Sequence, residues 1–193
     1  MLHLRTYTAP TEEPVSLAEM KLHLRVDHSD EDALIASLIT AAREQCELEA
    51  RRTFCTTTLE QRLDRWPSSG GFALLRGPVQ SITSIGYTDE DGVAGTMTAT
   101  DYVLYKETDP ATVVLAPDAQ WPVVDLMPGH SIAIRYVAGY GTAGAVPQRY
   151  KAAIKLLAAH LYENREPVVI GTIAVQIPMT VRALLDGDRG GWF

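Results

Sequence analysis

The fold is decided by residues 131–166, which read SIAIRYVAGYGTAGAVPQRYKAAIKLLAAHLYENRE. Large apolar side chains occupy every second position from Ile132 to Tyr136. This period of two predicts a strand with one buried face that ends near Gly139. Pro147 then suits the first position of a helix, because that position needs no N–H donor and proline fixes a helical φ. The stretch therefore predicts a strand, a glycine turn and a helix.

The helix predicted over residues 147–165 has one strongly apolar face. Its apolar side chains follow the i, i+3, i+4, i+7 spacing of an amphipathic helix. They are Tyr150, Ala153, Ile154, Leu157, Ala158 and Leu161. Burial of the four large ones stabilises by roughly 6–12 kcal/mol before conformational entropy is subtracted. We expect this face to pack against another element, and Leu157→Asp to be among the most damaging single substitutions.

Two further helices are predicted near the start of the chain. Ser16 and Glu19 form a capping-box pattern that opens a short helix over 16–25. A longer helix is predicted over 31–52, where Glu47 falls on the polar side. The apolar side of this second helix consists of Ile35, Leu38, Ile39, Ala42 and Cys46. Its apolar face is expected to pack on the helix that follows Pro147.

Residues 56–138 have a different composition, rich in threonine and β-branched residues and interrupted by turn formers about every ten positions. The candidate strands are 58–65, 72–76, 79–87, 101–105, 111–115 and 131–138. Their short connections favour antiparallel pairing. The predicted class is α+β: a mainly helical bundle with a small antiparallel β-sheet inserted between the second and third long helices.

The predicted domain organisation follows from this order of elements. Residues 1–55 and 139–193 are expected to form the helical core, and 56–138 the inserted β region. A final short helix is predicted over 179–185. No internal repeat interrupts this arrangement.

Composition and charge exclude several classes of protein. A hydrophobic fraction of 46% is that of an ordinary folded domain. The sequence has neither an apolar run of 18 residues nor a secretory leader, so we expect no membrane contact and a location in the cytoplasm. A net charge of -7 lacks the basic surface that nucleic-acid binders use, which argues against tight DNA binding.

The glycines of residues 139–144, GYGTAG, match the dinucleotide-binding pattern G-x-G-x-x-G. The preceding strands look antiparallel, the helix starts after the last glycine, and Pro147 removes an N–H that a phosphate would need. We therefore interpret the motif as a glycine turn. A nucleotide-binding enzyme that uses this loop is the alternative function.

No catalytic, cofactor or metal site is predicted. Cys46 and Cys55 are nine positions apart and are expected to be free, buried thiols. His160 and Glu163 are one helical turn apart, but no second such pair completes a metal site. The five histidines are dispersed, and no nucleophile stands in a supporting motif. We therefore expect a non-enzymatic protein.

Several stretches resemble the head-tail connector, or adaptor, proteins of tailed bacteriophages and prophages. These stretches are PVSLAEMKLHLRVDHSDEDALIASLITAARE at 14–44, WP at 121–122, RYVAGYG at 135–141, VPQRYKAAIKLLAAHLYENRE at 146–166 and ALLD at 183–186. They follow the family's order over most of the chain. One departure is Arg51-Arg52-Thr53, where the family usually has T-G-R after the second helix.

The resemblance implies a structural subunit of the virion head-tail junction, assembled in the host cytoplasm. Such proteins form rings, typically of twelve copies, beneath the portal protein, and then bind a downstream stopper or tail protein. Double-stranded DNA passes through the ring without tight binding, which agrees with an acidic subunit. Residues 167–178 and 186–193 are candidates for ordering on assembly, so deletion of 186–193 is expected to weaken assembly but not folding.

Overall fold

The computed structural model describes residues 3–68, 70–164 and 178–186. The chain divides into two compact units. We call Met1–Thr11 with Cys55–Tyr140 the β unit, and Glu12–Phe54 with Gly141–Phe193 the helical unit. The candidate segments 167–178 and 186–193 fall almost entirely outside the described residues.

The described part of the β unit contains eight strands in two antiparallel sheets. The strands are β1 (His3–Thr8), β2 (Thr57–Leu63), β3 (Gly71–Ala73), β4 (Val79–Thr88), β5 (Ala94–Thr96), β6 (Tyr102–Tyr105), β7 (Thr112–Leu115) and β8 (Ile132–Ala138). Five of them form a sheet in the order β1-β2-β8-β4-β5, and the other three form a sheet in the order β3-β7-β6. Strand β8, predicted from the deciding stretch, is the central strand of the larger sheet.

The core of the β unit lies on one face of the larger sheet. Strand β8 contributes Ile132, Ile134 and Tyr136, all fully buried, and β2 contributes Leu59. The Gln61 side chain on β2 accepts a hydrogen bond from the N–H of Leu75 and donates one to the Ala73 carbonyl, each 2.9 Å long. The phenol of Tyr136 donates to the Leu75 carbonyl. The polar groups of Gln61 and Tyr136 are therefore hydrogen bonded, as burial requires.

The described part of the helical unit contains four α-helices: α1 (Leu17–Leu24), α2 (Asp32–Ala50), α3 (Gln148–Glu163) and α4 (Met179–Asp186). The α2 helix packs against α3, and both contact α4. Apolar residues from α1, α2 and α3 fill the space between them, and Phe54 stacks on Tyr150 with ring centroids 4.6 Å apart. No helix in the described ranges has the length and apolar character that crossing a membrane requires.

The helix boundaries agree closely with the predicted ones. Ser16 and Glu19 form the predicted capping box, in which Ser16 Oγ accepts from the Glu19 N–H and Glu19 Oε2 accepts from the Ser16 N–H. Pro147 directly precedes α3, and the predicted face of α3 is buried. The prediction that Glu47 faces solvent was wrong. Its side chain is 6% exposed and accepts hydrogen bonds from Arg43 and from the Phe54 N–H.

The predicted α+β class is confirmed, although the β portion is larger than the small sheet expected. Strands β1 and β5 were missed, because neither shows the apolar alternation of a half-buried strand. Because β1 pairs with β2, residues 1–11 belong to the β unit instead of the helical core in which the sequence interpretation had placed them.

Candidate assembly surface

The face of the larger sheet that points away from its core carries a row of charged side chains. Side chains alternate between faces along a strand, so Glu60 on β2 points opposite to its buried neighbours Leu59 and Gln61. The strand register places Glu60 directly between Arg5 on β1 and Arg135 on β8. We call Arg5, Tyr7, Glu60, Arg62 and Arg135 the arginine face.

Three arginines converge on the single carboxylate of this face. Arg5 and Arg62 donate from Nε to Glu60 Oε1 over 2.9 and 2.8 Å, and Arg5 adds a second nitrogen at 2.7 Å. Arg135 donates from Nε to Glu60 Oε2 over 2.8 Å. The Glu60 side chain is fully buried, whereas the arginine side chains are 36–48% exposed. The carboxylate is covered, and the guanidinium groups form the accessible surface.

The electrostatics of the face follow from this geometry. Burial raises the pKa of Glu60, but the hydrogen bonds and charges of Arg135, Arg62 and Arg5 outweigh it and lower that pKa to about 2. Hydrogen bonding to Glu60 in turn raises the pKa of Arg135. Glu60 is therefore ionised at neutral pH, and three arginines against one carboxylate leave a local charge of about +2.

An aromatic side chain adds apolar area to the arginine face. The ring of Tyr7 lies 4.1 Å from the Arg135 guanidinium carbon, in a cation–π contact, and remains 49% exposed. Exposed tyrosine and arginine are enriched at the centres of protein interfaces. The arrangement suits binding of carboxylate or phosphate oxygens. It does not suit proton transfer, since the arginines hold Glu60 in its charged form.

A second surface of the β unit has the opposite charge. The turn between β4 and β5 carries three consecutive acidic residues, Asp89, Glu90 and Asp91. A loop packs beside it, where the Glu90 N–H donates to the Asp125 carbonyl over 2.8 Å and the Met127 N–H donates to the Thr88 carbonyl over 3.1 Å. We call residues 89–93 together with 123–127 the acidic tip.

The acidic tip also exposes large apolar side chains. Val93 is 62% exposed, Val123 90%, and Val124 and Met127 each 39%. Solvent-exposed apolar residues grouped with carboxylates are typical of a surface that contacts another protein. The tip therefore combines apolar contact area with negative charge.

The two tryptophan–proline pairs of the sequence meet in the β unit. Trp66 stacks on Trp121 with ring centroids 5.1 Å apart, and Tyr87 contacts Trp66 edge-on at 6.0 Å. Both tryptophans pack against the core. An open groove of about 580 Å³ lies beside them and is lined in part by Trp66, Phe72 and Leu75.

Backbone conformation explains the glycines at positions 139 and 141 of the GYGTAG motif. Gly139 has φ +117°, and a β-carbon at that position would lie 2.5 Å from the Cys55 carbonyl oxygen. Gly141 has φ +120°, a conformation that side chains rarely adopt. The preceding strand β8 pairs only antiparallel with its neighbours, and α3 begins at Gln148, four residues after the motif. A dinucleotide fold instead needs a parallel strand whose loop leads directly into the helix.

Within the part of the chain that the structure describes, the fold does not bring the other residues considered for catalysis or metal binding together into a site. In the described ranges, histidine, cysteine and acidic side chains form no cluster of three that could hold a metal ion. His160 contacts Asn164 on its own helix. Cys46 and Cys55 are free and buried, and burial raises the pKa of the Cys46 thiol to about 12, so this thiol stays neutral. The expectation that no residue is catalytic stays a prediction.

The arginine face was missed in the sequence. The alternation of Glu60 and Arg62 with apolar neighbours indicates that they share the solvent side of a strand. The arginines at positions 5 and 135 are 55 and 75 positions from Glu60, and only the strand register brings them together. Recognition of β1 would have been needed to predict this surface.

Comparison with known proteins relates the chain to one protein family and to several solved structures. Residues 14–108 match the family described as "Phage gp6-like head-tail connector protein". No curated protein matches the sequence. Among solved structures, a chain of "Neck of empty GTA particle computed with C6 symmetry" has a TM-score of 0.77 and 26% identity, covering 95% of this chain and 93% of that one.

Two further structures match with the same coverage. A chain of "Virion of native gene transfer agent (GTA) particle" has a TM-score of 0.76 and 27% identity. A chain of "Neck of native GTA particle computed with C12 symmetry" has a TM-score of 0.75 and 25% identity. The likeness therefore includes both the β unit and the helical unit.

Proposed function

Residues 14–108 match the phage head-tail connector family, and from that match we propose that copies of this chain form a ring beneath the portal protein at the head-tail junction. The ring extends the conduit for double-stranded DNA and presents a surface to a downstream stopper or tail protein. Its expected stoichiometry is twelve.

One observation carries the proposal: a likeness that covers 95% of this chain to chains from the neck and virion of gene transfer agent particles. Two of those neck structures have sixfold and twelvefold symmetry. A closed ring needs heterologous contacts, in which each copy offers two different complementary surfaces. The arginine face and the acidic tip are two surfaces of opposite charge on one unit.

The charge of the chain agrees with a DNA conduit. The β unit has six basic and ten acidic residues, which give a net charge of -4, and the helical unit has eleven basic and fourteen acidic residues, which give -3. A subunit whose two units are both net acidic repels phosphate, so DNA can pass without tight binding. Tight binding would instead require a broad basic surface.

The proposal includes no catalytic step and no cofactor. The connector family is structural, and the glycine loop has the backbone explanation given above. Assembly is proposed to occur in the cytoplasm of the host bacterium, before the ring becomes part of the virion.

The test is to mix the purified chain with the portal protein encoded near it and to examine the mixture by electron microscopy and sedimentation. We expect a stoichiometric extra ring on one side of the portal, which is absent from samples of the portal alone. The chain alone at the same concentration separates self-association from assembly on the portal. If the chain binds the portal at neither low nor high salt, the proposed function is contradicted.

A further inference from the structure

The arginine face carries more positive charge than its own carboxylate neutralises. Each guanidinium has five N–H donors. Each of the three arginines contacts Glu60 through at most two of its nitrogens, and its side chain stays 36–48% exposed. Arginine binds carboxylate and phosphate oxygens in bidentate geometry. The face is therefore suited to receive additional acidic groups from outside the unit.

The acidic tip offers groups of that chemistry. Glu90, Asp91 and Asp125 are exposed, and the exposed valines beside them offer apolar area that matches the exposed ring of Tyr7. We propose that the arginine face of one copy binds the acidic tip of the next copy. This inference rests on the proposed ring-forming function.

The position of the two surfaces in the sheet supports a contact between copies. Arg5 lies on β1 at one edge of the five-stranded sheet, and the acidic tip joins β4 to β5 at the other edge. Four strand spacings separate β1 from β5, a distance of about 19 Å. Arg5 therefore cannot pair with the tip of its own copy, while Arg62 and Arg135, on the strands between these edges, are held on Glu60. The arginine face and the acidic tip are arranged as a head-to-tail contact requires.

The net negative charge of each copy favours a contact between complementary patches. Copies with a net charge of -7 repel one another at separations up to about the Debye length, which is about 8 Å at physiological salt, and salt screens the repulsion beyond it. Only complementary patches in close contact overcome that repulsion. Charge complementarity of this type mainly fixes orientation and partner choice. It therefore suits a ring in which every copy must adopt the same register.

The test compares charge reversals on exposed positions of the β unit in the full chain. Glu90→Arg changes the acidic tip, and Glu107→Arg is the matched control, because both residues are exposed and both changes raise the net charge by two. Arg62→Glu changes the arginine face but leaves Arg5 and Arg135 on Glu60. Ring formation, alone and on the portal, is measured by sedimentation and electron microscopy. Circular dichroism checks that each variant folds.

We expect Glu90→Arg to weaken ring formation by about tenfold or more and Glu107→Arg to leave it unchanged. The double variant Arg62→Glu with Glu90→Arg should restore rings, since it exchanges the charges across the contact. Rings that survive Glu90→Arg would overturn the inference while the proposed function stands. A parent chain that forms no ring even on the portal would overturn both.

Phosphate is the competing ligand of the arginine face. Fluorescence anisotropy with duplex DNA at several salt concentrations tests this alternative. We expect the parent chain and the Arg62→Glu variant to bind DNA equally weakly. A salt-dependent DNA affinity that Arg62→Glu removes, without any change in ring formation, would assign the face to DNA phosphates and overturn the inference.

Discussion

At the scale of single residues, Glu60 shows how strand register brings charged residues from distant parts of the chain into contact. Its carboxylate is buried by three arginines from three different strands, and each of those arginines is partly exposed. An unpaired buried carboxylate would be strongly destabilising, so the fold of this sheet edge depends on the ion cluster. The cluster therefore has a structural role in addition to any role in assembly.

The lowered pKa of Glu60 predicts a specific pH dependence of stability. A carboxyl group whose pKa is about 2 in the folded state, against about 4.3 when unfolded, stabilises the protein above pH 4.3. That contribution is lost as the pH falls towards 2, and we expect it to be on the order of 1–3 kcal/mol. Glu60→Gln should lower the free energy of unfolding at pH 7. In the variant, the free energy of unfolding should also fall less steeply than in the parent between about pH 4.5 and 2, the interval over which Glu60 titrates.

Chemical denaturation at a series of pH values provides the measurement. Glu107→Gln is the control, because Glu107 is exposed and the change removes the same charge. If both variants follow the parent curve, the cluster contributes nothing to stability. If only Glu60→Gln departs from it, the ion cluster is responsible.

Sequence reasoning did not identify this cluster. The apolar alternation over 131–138 places Arg135 on the face opposite Ile134 and Tyr136, but the candidate strand over 58–65 carried no assignment for Glu60. Alternation is insufficient to bring the two residues together, since pairing between segments so far apart in the chain depends on tertiary contacts. Glu47 shows the same limit, as its helical position indicated exposure and its partners keep it buried.

At the scale of elements, the end of α2 carries a backbone feature that the sequence pattern had flagged. Arg51 is the C-cap of this helix and has φ +52°, in the left-handed region. Glycine is the usual residue in that conformation, because a β-carbon costs about 1 kcal/mol there. Arg51 is the first residue of Arg51-Arg52-Thr53, the segment that departs from the family's T-G-R, and its backbone conformation carries a penalty.

Arg51→Gly is therefore expected to stabilise the protein by roughly 0.5–1 kcal/mol. Arg51→Ala is the matched control, because it removes the same side chain but keeps the β-carbon, and it should give no gain. Thermal denaturation of both variants measures the difference. An equal rise in melting temperature for both would attribute the effect to loss of the arginine charge instead of to backbone conformation.

Elements differ in how far the sequence predicts them. All four helices were predicted to within a few residues, because a capping box, a proline and a clear apolar period mark them locally. Strands β1 and β5 carry no such marks. Most side chains of β1 are exposed, as in an edge strand. Only its pairing with β2 identifies this segment as a strand.

At the scale of the whole molecule, the chain passes between its two units three times, after residues 11, 54 and 140. Each unit has its own apolar core, one between two sheets and one among helices. Separate cores allow domains to unfold separately. We therefore propose that the β unit keeps its fold when the helical unit is lost, which is the organisation expected of an inserted region.

Leu157→Asp tests this independence. Leu157 is 4% exposed on α3, and a buried carboxylate there should destabilise the helical unit by about 4 kcal/mol or more. In a Trp192→Phe background, tryptophan fluorescence reports only on the stacked pair Trp66 and Trp121 of the β unit. We expect the variant to lose most of its helical circular dichroism while the emission of this pair stays that of the parent. Simultaneous loss of both signals would mean that the two units fold as one cooperative structure, and that the β unit cannot assemble without the helices.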